Sequence, residues 1–447
     1  MSTPSTTFSL EGRGLKLDTE DDARSHTQDL SSTKTYTHIS LSGNTLGAPA
    51  CTYLAPLLSA QTSLTSINLA DIFTSRLLSE IPPALTSLLT ALLPLQNLTT
   101  IDLSDNAFGL KTQAPLVDFL RQHVPLQHLI LNNNGLGPEA GTHIATALST
   151  LADRKAEARI HAANNATKGT NIPPLETLIC GRNRLETGSM AAWAQAFQKH
   201  PHLKTVKMVQ NGIRQPGICT LLRDGLQHCR ELEVLDLQDN TFTHVGAEAL
   251  SSSLPLWPHL RELGVGDSLL GRKGGMGMLC AALSQGRNKE LRVLRLQYNE
   301  IDSRGVARLL KVVEEEKEGK LPRLRRVELN GNKFAEEDER VARLRRLLEG
   351  RRGGNDDGEG GEGEEFGLDE FSDLEEEDSD VEEEDEEEED IDSDAEEEGK
   401  KEDEKEKAKK AEAIVRDAEE EEGRNVSQKQ DVEVDVLAEK MGRTEMI

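Results

Sequence analysis

One short pattern of apolar and polar positions recurs along most of the chain. In its clearest form it reads apolar-x-apolar-x-x-Asn, as at residues 101–106 and 235–240. A first copy lies at 8–13, and the sixth positions of the later copies fall at residues 44, 72, 106, 134, 183, 211, 240, 268, 299 and 332. A unit this short cannot bury its apolar side alone, so we expect the copies to stack into one continuous core.

The spacing of the copies indicates what each one contains. All but one of the steps between sixth positions are 28 to 34 residues long, which is typical of long leucine-rich repeats with one strand and one full helix. The prediction is an α/β leucine-rich-repeat horseshoe of about 11 repeats, with a parallel concave sheet and outer helices. Helices are predicted at Pro138–Leu151, Gly246–Leu254 and Val306–Val313, where apolar residues recur at helical spacing.

Positions within the repeat have different predicted roles. The first and third should point inward, and the second and fourth outward on the concave face. The sixth-position Asn can bond backbone groups where the strand turns away. The fifth positions should line one edge of the sheet, which we name the rim. They are Gly43, Asp71, Asp105, Asn133, Arg182, Gln210, Asp239, Asp267, Tyr298 and Gly331. Most are polar, which favours a contact edge.

Two segments depart from the repeat. A step of 49 residues contains an insertion at about 152–174, which we interpret as an exposed surface loop. The stretch Glu337–Leu348, after the last repeat, is amphipathic and arginine-rich. It is predicted to be a helix that caps the array, because terminal repeats need a polar outer face. A nuclear-localisation signal is the alternative interpretation of its arginines.

The charge of the chain divides it in two. The 447 residues carry a formal net charge of −28, and residues 351–447 hold 43 acidic and 13 basic residues. The body is therefore nearly neutral. We predict a leucine-rich-repeat domain at 1–352 and an acidic, largely disordered tail at 353–447, in which Glu382–Asp390 are nine consecutive acids. No secretory signal or membrane span is expected.

Sequence signatures of a self-contained enzyme are missing. There is no phosphate-binding glycine loop, no HExxH, no Gly-x-Ser-x-Gly and no clustered Cys/His spacing. The five cysteines form no CxxC and are interpreted as reduced thiols. We therefore expect no cofactor and no metal site. A repeat array with a long sheet face is suited to holding a macromolecule.

Six strings in the body include surface positions that the repeat pattern does not require. They are AspIlePheThrSerArg at 71–76, LeuSerAspAsnAlaPheGly at 103–109, AsnAsnGlyLeuGlyPro at 133–138, CysGlyArgAsnArgLeuGlu at 180–186, ValLysMetValGlnAsnGlyIleArg at 206–214 and LeuAspLeuGlnAspAsnThrPheThrHis at 235–244. Over roughly residues 8–345 the chain resembles the fungal Ran GTPase-activating proteins. The resemblance implies a cytoplasmic activator, acting near the nuclear envelope in nucleocytoplasmic transport. It would hydrolyse no GTP itself, because nucleotide, Mg²⁺ and the water-orienting glutamine belong to Ran.

The resemblance also implies roles for particular residues. Asn133 would help to position Ran's glutamine, and Arg76 is the second catalytic candidate, with an anchoring or orienting role. The implied partner-binding residues are Arg182, Asn183, Lys207, Gln210 and Asp239, of which Asn183 is also a sixth-position residue. The implied partner is Ran in its GTP-bound form, optionally with a Ran-binding protein. We expect a monomer, with no nucleic acid and no membrane as partners.

Two other classes of protein share parts of this description. An acidic leucine-rich-repeat chaperone for basic proteins would combine repeats with an acidic tail, but such proteins have fewer and shorter repeats. An inhibitor like the ribonuclease inhibitor has the 28-residue period but many more cysteines. The tail itself has two open interpretations, a solubilising extension or an element that steers a basic partner by its charge.

Overall fold

The structure is a computed structural model. It describes residues 6–31, 35–164, 172–271, 274–314, 320–351 and 366–375. These residues all belong to a compact unit that spans Met1–Ser379. The predicted acidic run Glu382–Asp390 and the rest of the predicted tail beyond residue 375 lie outside the described residues.

Parallel pairing of short strands, one from each repeat, builds the main sheet. Within the described residues its strands, in spatial order, are β1 Thr7–Ser9, β3 His38–Ser40, β5 Ser66–Asn68, β6 Thr100–Asp102, β7 His128–Ile130, β8 Thr177–Ile179, β9 Thr205–Lys207, β10 Val234–Asp236, β11 Glu262–Gly264, β12 Val293–Arg295, β13 Arg326–Glu328 and β14 Gly367–Leu368. Strands β2 Lys16–Leu17 and β4 Thr45–Leu46 form a second, small sheet. The first eleven strands of the main sheet coincide with the eleven predicted copies, so the predicted repeat fold is confirmed.

A helix follows most of the strands. The helices are α1 Glu20–His26, α2 Ala48–Ser59, α3 Ile81–Leu92, α4 Ala114–Leu120, α5 Gly137–Asn164, α6 Met190–Lys199, α7 Gln215–Thr220, α8 Thr243–Ser253, α9 Gly275–Ser284, α10 Ser303–Glu314 and α11 Glu339–Gly350. Prolines in the first turns of α2, α3, α4 and α7 occupy positions whose N–H groups need no partner in the helix. Successive helices pack on one another, and the inward strand residues complete a leucine-rich core. The predicted helices at 138, 246, 306 and 337 are all present.

The sixth-position asparagines form a buried ladder, as predicted. The Asn106 side chain accepts the N–H of Ile72 at 3.1 Å and donates to the carbonyls of Leu69 and Leu103 at 3.0 Å. Equivalent bonds recur at Asn183, Asn240, Asn299 and Asn332. Each of these five amides thus bonds backbone groups of its own repeat and of the preceding one. The ladder supplies hydrogen bonds that the three-residue strands are too short to provide.

A second row of buried donors lies five residues before the strands, where the helices end. Each donor reaches a carbonyl of the preceding repeat: Gln61 to Leu30, His123 to Leu98, His200 to Leu148, Cys229 to Phe197, Trp257 to Leu226, and Asn288 to Leu254. The residue types differ widely, so sequence periodicity gives no sign of this row. It joins the repeats on the helix side as the asparagine ladder joins them at the rim.

The two buried histidines of this row should make the folding stability sensitive to acid. Burial lowers the pKa of His123 and of His200 to about 4. Because both values lie below that of an unfolded histidine, the unfolded chain binds more protons between pH 6.5 and 4. Stability should therefore fall as the pH falls through this window, by up to about 3 kcal/mol for each histidine. His200→Asn should keep a donor, as Asn288 does, and flatten this part of a urea-unfolding pH profile; an unchanged slope would contradict the assignment.

The prediction of a surface loop at 152–174 is wrong for residues 152–164, which are helical. Helix α5 continues to Asn164, while residues 165–171 lie outside the described residues. Lys155 explains why the helix continues: its side chain is buried, and its ammonium group donates to the carbonyls of Val124, Leu126 and Pro173 at 2.6–2.7 Å. Three donors thus meet three acceptors. The lysine fastens both ends of the insertion to the repeat before it.

Part of the tail predicted to be largely disordered from residue 353 is folded in the structure. Residues 366–375, which we name the cap segment, pack on the last repeat: β14 pairs with β13, and Asp369 accepts the N–H groups of Leu329 and Asn330 at 2.7 and 3.0 Å. Phe371 packs edge-on against Phe334, with ring centres 5.6 Å apart. An exposed sheet edge has unpaired backbone groups, and this segment covers it. The domain division at residue 352 itself stays a prediction.

Truncation tests the cap segment. A chain that ends after residue 352 should be less stable to urea than one that ends after residue 379, by about 2–3 kcal/mol, since it loses the strand pairing and the Phe371 contact. Both fragments lack the nine-acid run, so its charge does not enter the comparison. Equal urea midpoints would show that the segment contributes nothing to stability.

Candidate functional site

The rim has one backbone conformation throughout. All ten fifth-position residues have positive φ, between 49° and 70°. In nine of these turns, all except that of Gly331, the N–H donates to a carbonyl of the next repeat; that of Asp105 donates to the Asn132 carbonyl, and that of Asn133 to the Gly181 carbonyl, both at 2.9 Å. Glycine, asparagine and aspartate adopt this conformation at low cost. The rim side chains therefore follow one another along one edge, about one strand spacing apart.

Asn133 is exposed, and its orientation is fixed. Its Nδ2 donates to the Asp105 carboxylate, an Oδ1 atom 2.9 Å away, across one repeat. A carboxylate only accepts, so this bond determines which end of the amide is nitrogen. The Asn133 Oδ1 has no protein partner among the described residues. A preoriented acceptor is thus presented at the middle of the rim.

Arg76 follows β5 and turns towards the first two repeats. Its Nη1 lies 2.6 Å from Oδ1 of Asp18, its Nε donates to Thr45 Oγ1 at 2.9 Å, and its Nη2 donates to the Thr45 carbonyl at 3.0 Å. The Arg76 side chain is only 9% exposed. The guanidinium also holds the pKa of Asp18 below its usual value. We name this set of three residues the Arg76 clamp.

Known proteins with similar sequences identify the family. A family model described as "Leucine Rich repeat" matches residues 228–251 and 287–310. The Ran GTPase-activating protein 1 of Saccharomyces cerevisiae is 41% identical over 339 residues, which cover 74% of this chain and 79% of the yeast protein. The chain belongs to the Ran GTPase-activating protein family. The resemblance stated from the six strings is therefore confirmed.

This chain, a member of the Ran GTPase-activating protein (RanGAP) family, aligns with a smaller share of its more distant relatives. The Ran GTPase-activating protein of Drosophila melanogaster is 33% identical over 333 residues, which cover 74% of this chain and 53% of the fly protein. Among solved structures, an internalin of Listeria monocytogenes aligns with 69% of this chain and 72% of its own, at a TM-score of 0.41 and 14% identity.

The other predicted partner-binding residues of the RanGAP-family chain occupy two settings. Arg182 and Gln210 are exposed on the rim, and Asp239 is half-buried there. Lys207 ends β9 on the outward face, in register between Ile179 and Asp236. These four positions are open to a partner, and their predicted contacts stay predictions.

Asn183 has a different setting. It is 0% exposed, accepts the N–H of Asn134, and donates to the carbonyls of Leu131 and Gly181. A partner could not reach this amide without opening the ladder. Its position is that of a ladder residue and does not support the predicted contact.

No sequence pattern indicates the residues that hold the two catalytic candidates. Asp18 lies 58 positions before Arg76, outside the repeat pattern, and Thr45 follows an ordinary ladder position. Asp105 was identified only as one of the rim residues. The structure holds Arg76 against the first two repeats and Asn133 against the fourth, so it does not bring the two candidates into contact.

The described residues contain neither a helix suited to a membrane nor a cluster suited to a metal ion. No helix there is both long and apolar enough to span a membrane. No group of three or more His, Cys, Asp or Glu side chains there could hold a metal ion.

Proposed function

We propose that this protein accelerates GTP hydrolysis on the GTPase Ran by binding its GTP-bound form along the rim. Its close relatives are Ran GTPase-activating proteins, and the yeast protein matches over most of its own length. The observation that supports the site best is the exposed Asn133 amide, which Asp105 holds in one orientation on the rim.

Asn133 would act on a glutamine side chain of Ran. Its Oδ1 is an acceptor, and a glutamine amide offers two N–H donors. Holding that amide would leave the glutamine oxygen in a fixed position from which to orient the attacking water. This is positioning rather than chemistry on the protein itself: nucleotide, Mg²⁺ and nucleophile all belong to the GTPase. The protein would therefore hydrolyse no GTP alone.

Arg76 would not act as an arginine finger. A finger must offer its guanidinium to the γ-phosphate, but here Asp18 and Thr45 take donors from all three guanidinium nitrogens. To reach a phosphate, Arg76 would have to leave an ion pair and two hydrogen bonds. An orienting role in the free protein fits this geometry better.

The other contacts along the rim and on β9 would be polar. Arg182, Lys207, Gln210 and Asp239 offer charges of both signs and an amide along consecutive repeats, which suits a protein surface better than a nucleic acid. The residues from 351 to 447 carry a net charge of −30, and such a segment would steer a basic partner, raising the association rate by about 10–10³-fold at low salt. A monomeric, cytoplasmic activator near the nuclear envelope, with a Ran-binding protein as a further partner, completes the proposal.

Single-turnover hydrolysis on purified Ran·GTP tests the function. We expect the full-length protein to raise the rate constant by about 10³–10⁵-fold, as GTPase activators do. Ran·GDP formation should scale with the concentration of the protein until Ran is saturated. Hydrolysis at the intrinsic rate, with saturating full-length protein, would overturn the proposal.

A further inference from the structure

The loop between β5 and α3, residues 71–80, exposes apolar side chains. Leu77 is 67% exposed and Leu78 54% exposed. The loop of the following repeat adds Leu110, at 48%. Half of the large hydrophobic side chains that are exposed in the described residues thus lie on two adjacent loops at the strand ends that form the rim. Isolated exposed leucines are common, but a consecutive pair beside a third is a candidate contact surface.

The loop is built to keep one shape. The N–H of Arg76 donates to the Phe73 carbonyl at 3.1 Å, and that of Glu80 donates to the Leu77 carbonyl at 2.9 Å. The Glu80 carboxylate in turn accepts the N–H of Leu77 at 3.1 Å. Ser75 adopts φ +66°, a left-handed conformation that is uncommon for serine. The leucine pair is therefore presented by an ordered turn.

Three features of this loop each cost free energy. The Arg76 side chain is almost buried, and burying a charge is unfavourable unless it is well paired. Ser75 has a left-handed backbone. Leu77 and Leu78 leave apolar area in water. Unfavourable features that cluster at one site and are held by their surroundings are typical of functional sites.

We propose that Leu77 and Leu78 bury against an apolar surface of GTP-bound Ran, and that Asp18 and Thr45 are positioning residues that hold this loop through Arg76. The inference rests on the function proposed above. Asp71, the first residue of the loop, is a rim residue two repeats before Asn133, or about 10 Å at one strand spacing per repeat. A partner whose interface is of standard size covers about 800 Å², roughly 28 Å across. A partner whose footprint is centred near Asn133 would therefore reach the start of the loop as well.

The leucine pair is tested in the full-length protein by steady-state hydrolysis with Ran·GTP as substrate. L77S/L78S should raise KM about tenfold or more, with kcat within about twofold of wild type. Removing exposed leucines should leave the thermal midpoint unchanged. Ile160→Ser is the matched control, because Ile160 is 60% exposed on the extension of α5, and its KM should equal that of wild type. An L77S/L78S variant with wild-type KM, beside an active wild type, would overturn the inference. An inactive wild type would instead overturn the proposed function.

The clamp is tested by substitutions that keep its shape. Asp18→Asn removes the charge that faces Arg76, and Thr45→Val removes the hydroxyl that accepts from its Nε. Each should raise KM, and each should add little in the L77S/L78S background, because both act through the same loop. A merely structural role would lower the thermal midpoint without this non-additivity. A fall in kcat at unchanged KM would show that Arg76 acts on the reacting groups, and would overturn its role as a positioning residue. Thr45→Val keeps the test decisive if Asp18→Asn folds poorly.

Discussion

Replacing Asn133 by glycine is expected to slow Ran·GTP hydrolysis by about 10²–10³-fold at saturating activator. This is the range observed when one preorganised hydrogen-bonding group is removed from an active site. Glycine is the informative replacement because Asn133 has φ 51°, a conformation that glycine adopts without strain. The change therefore removes the amide and leaves the turn. Single-turnover quench experiments on full-length protein measure the effect.

Asp267→Gly provides the control for this substitution. Asp267 holds the same rim position four repeats later, with φ 49°, so the backbone consequences of the two changes match. We expect Asp267→Gly to keep a rate constant within about threefold of wild type. An Asn133→Gly protein that is equally fast would mean that the amide does not orient the glutamine, whatever else the rim binds.

Asn183→Ala should destabilise the protein by about 3–5 kcal/mol. Its amide satisfies one N–H and two carbonyls in a site that is 0% exposed, and each buried group left without a partner costs about 1–3 kcal/mol. Urea unfolding of the full chain, followed by far-ultraviolet circular dichroism, should show a clearly lower midpoint. In a stacked array the loss should weaken the contact of the fifth and sixth repeats first.

A substitution at the neighbouring Arg182 distinguishes an effect on partner binding from an effect on stability. Arg182 is exposed at φ 56°, so Arg182→Gly should change the free energy of unfolding by less than about 1 kcal/mol. If Arg182 contacts Ran, this variant should raise KM while its unfolding midpoint stays near that of wild type. An Asn183→Ala protein of normal stability would refute the ladder role assigned to Asn183.

The repeats could be predicted because each copy states the same physical requirement. Inward positions such as Ile101 and Leu103 must be apolar, and this signal recurs in all eleven copies; a sixth-position Asn or Ser that can bond the backbone recurs in nine of them. The rim followed from the same register. The Arg76 clamp could not be predicted, because Asp18 and Arg76 meet once, across the first repeats, and no periodic signal marks them.

The two segments that differed from prediction were ambiguous in composition. Residues 152–164 are rich in alanine and charge, which suits both a loop and a solvated helix; the buried bonds of Lys155 decide between them. The cap segment is acidic, so its charge suggested disorder. Its apolar residues at 366, 368, 371 and 374 are too few for a periodic signal, yet the last three pack against the core and the Phe366 ring lies against Arg325.

The left-handed turn at every rim position restricts how this surface can evolve. Interchange among glycine, asparagine and aspartate is cheap there, whereas valine, isoleucine and threonine are strongly disfavoured and proline is excluded. Substitutions at rim positions can therefore change charge and hydrogen bonding, but they can hardly introduce β-branched apolar side chains. New apolar contacts have to arise in the loops beyond the turns, where Leu77 and Leu78 lie. A change of binding partner during evolution should thus appear as two classes of substitution: changes among polar residues in the rim turns, and changes of apolar residues in the loops.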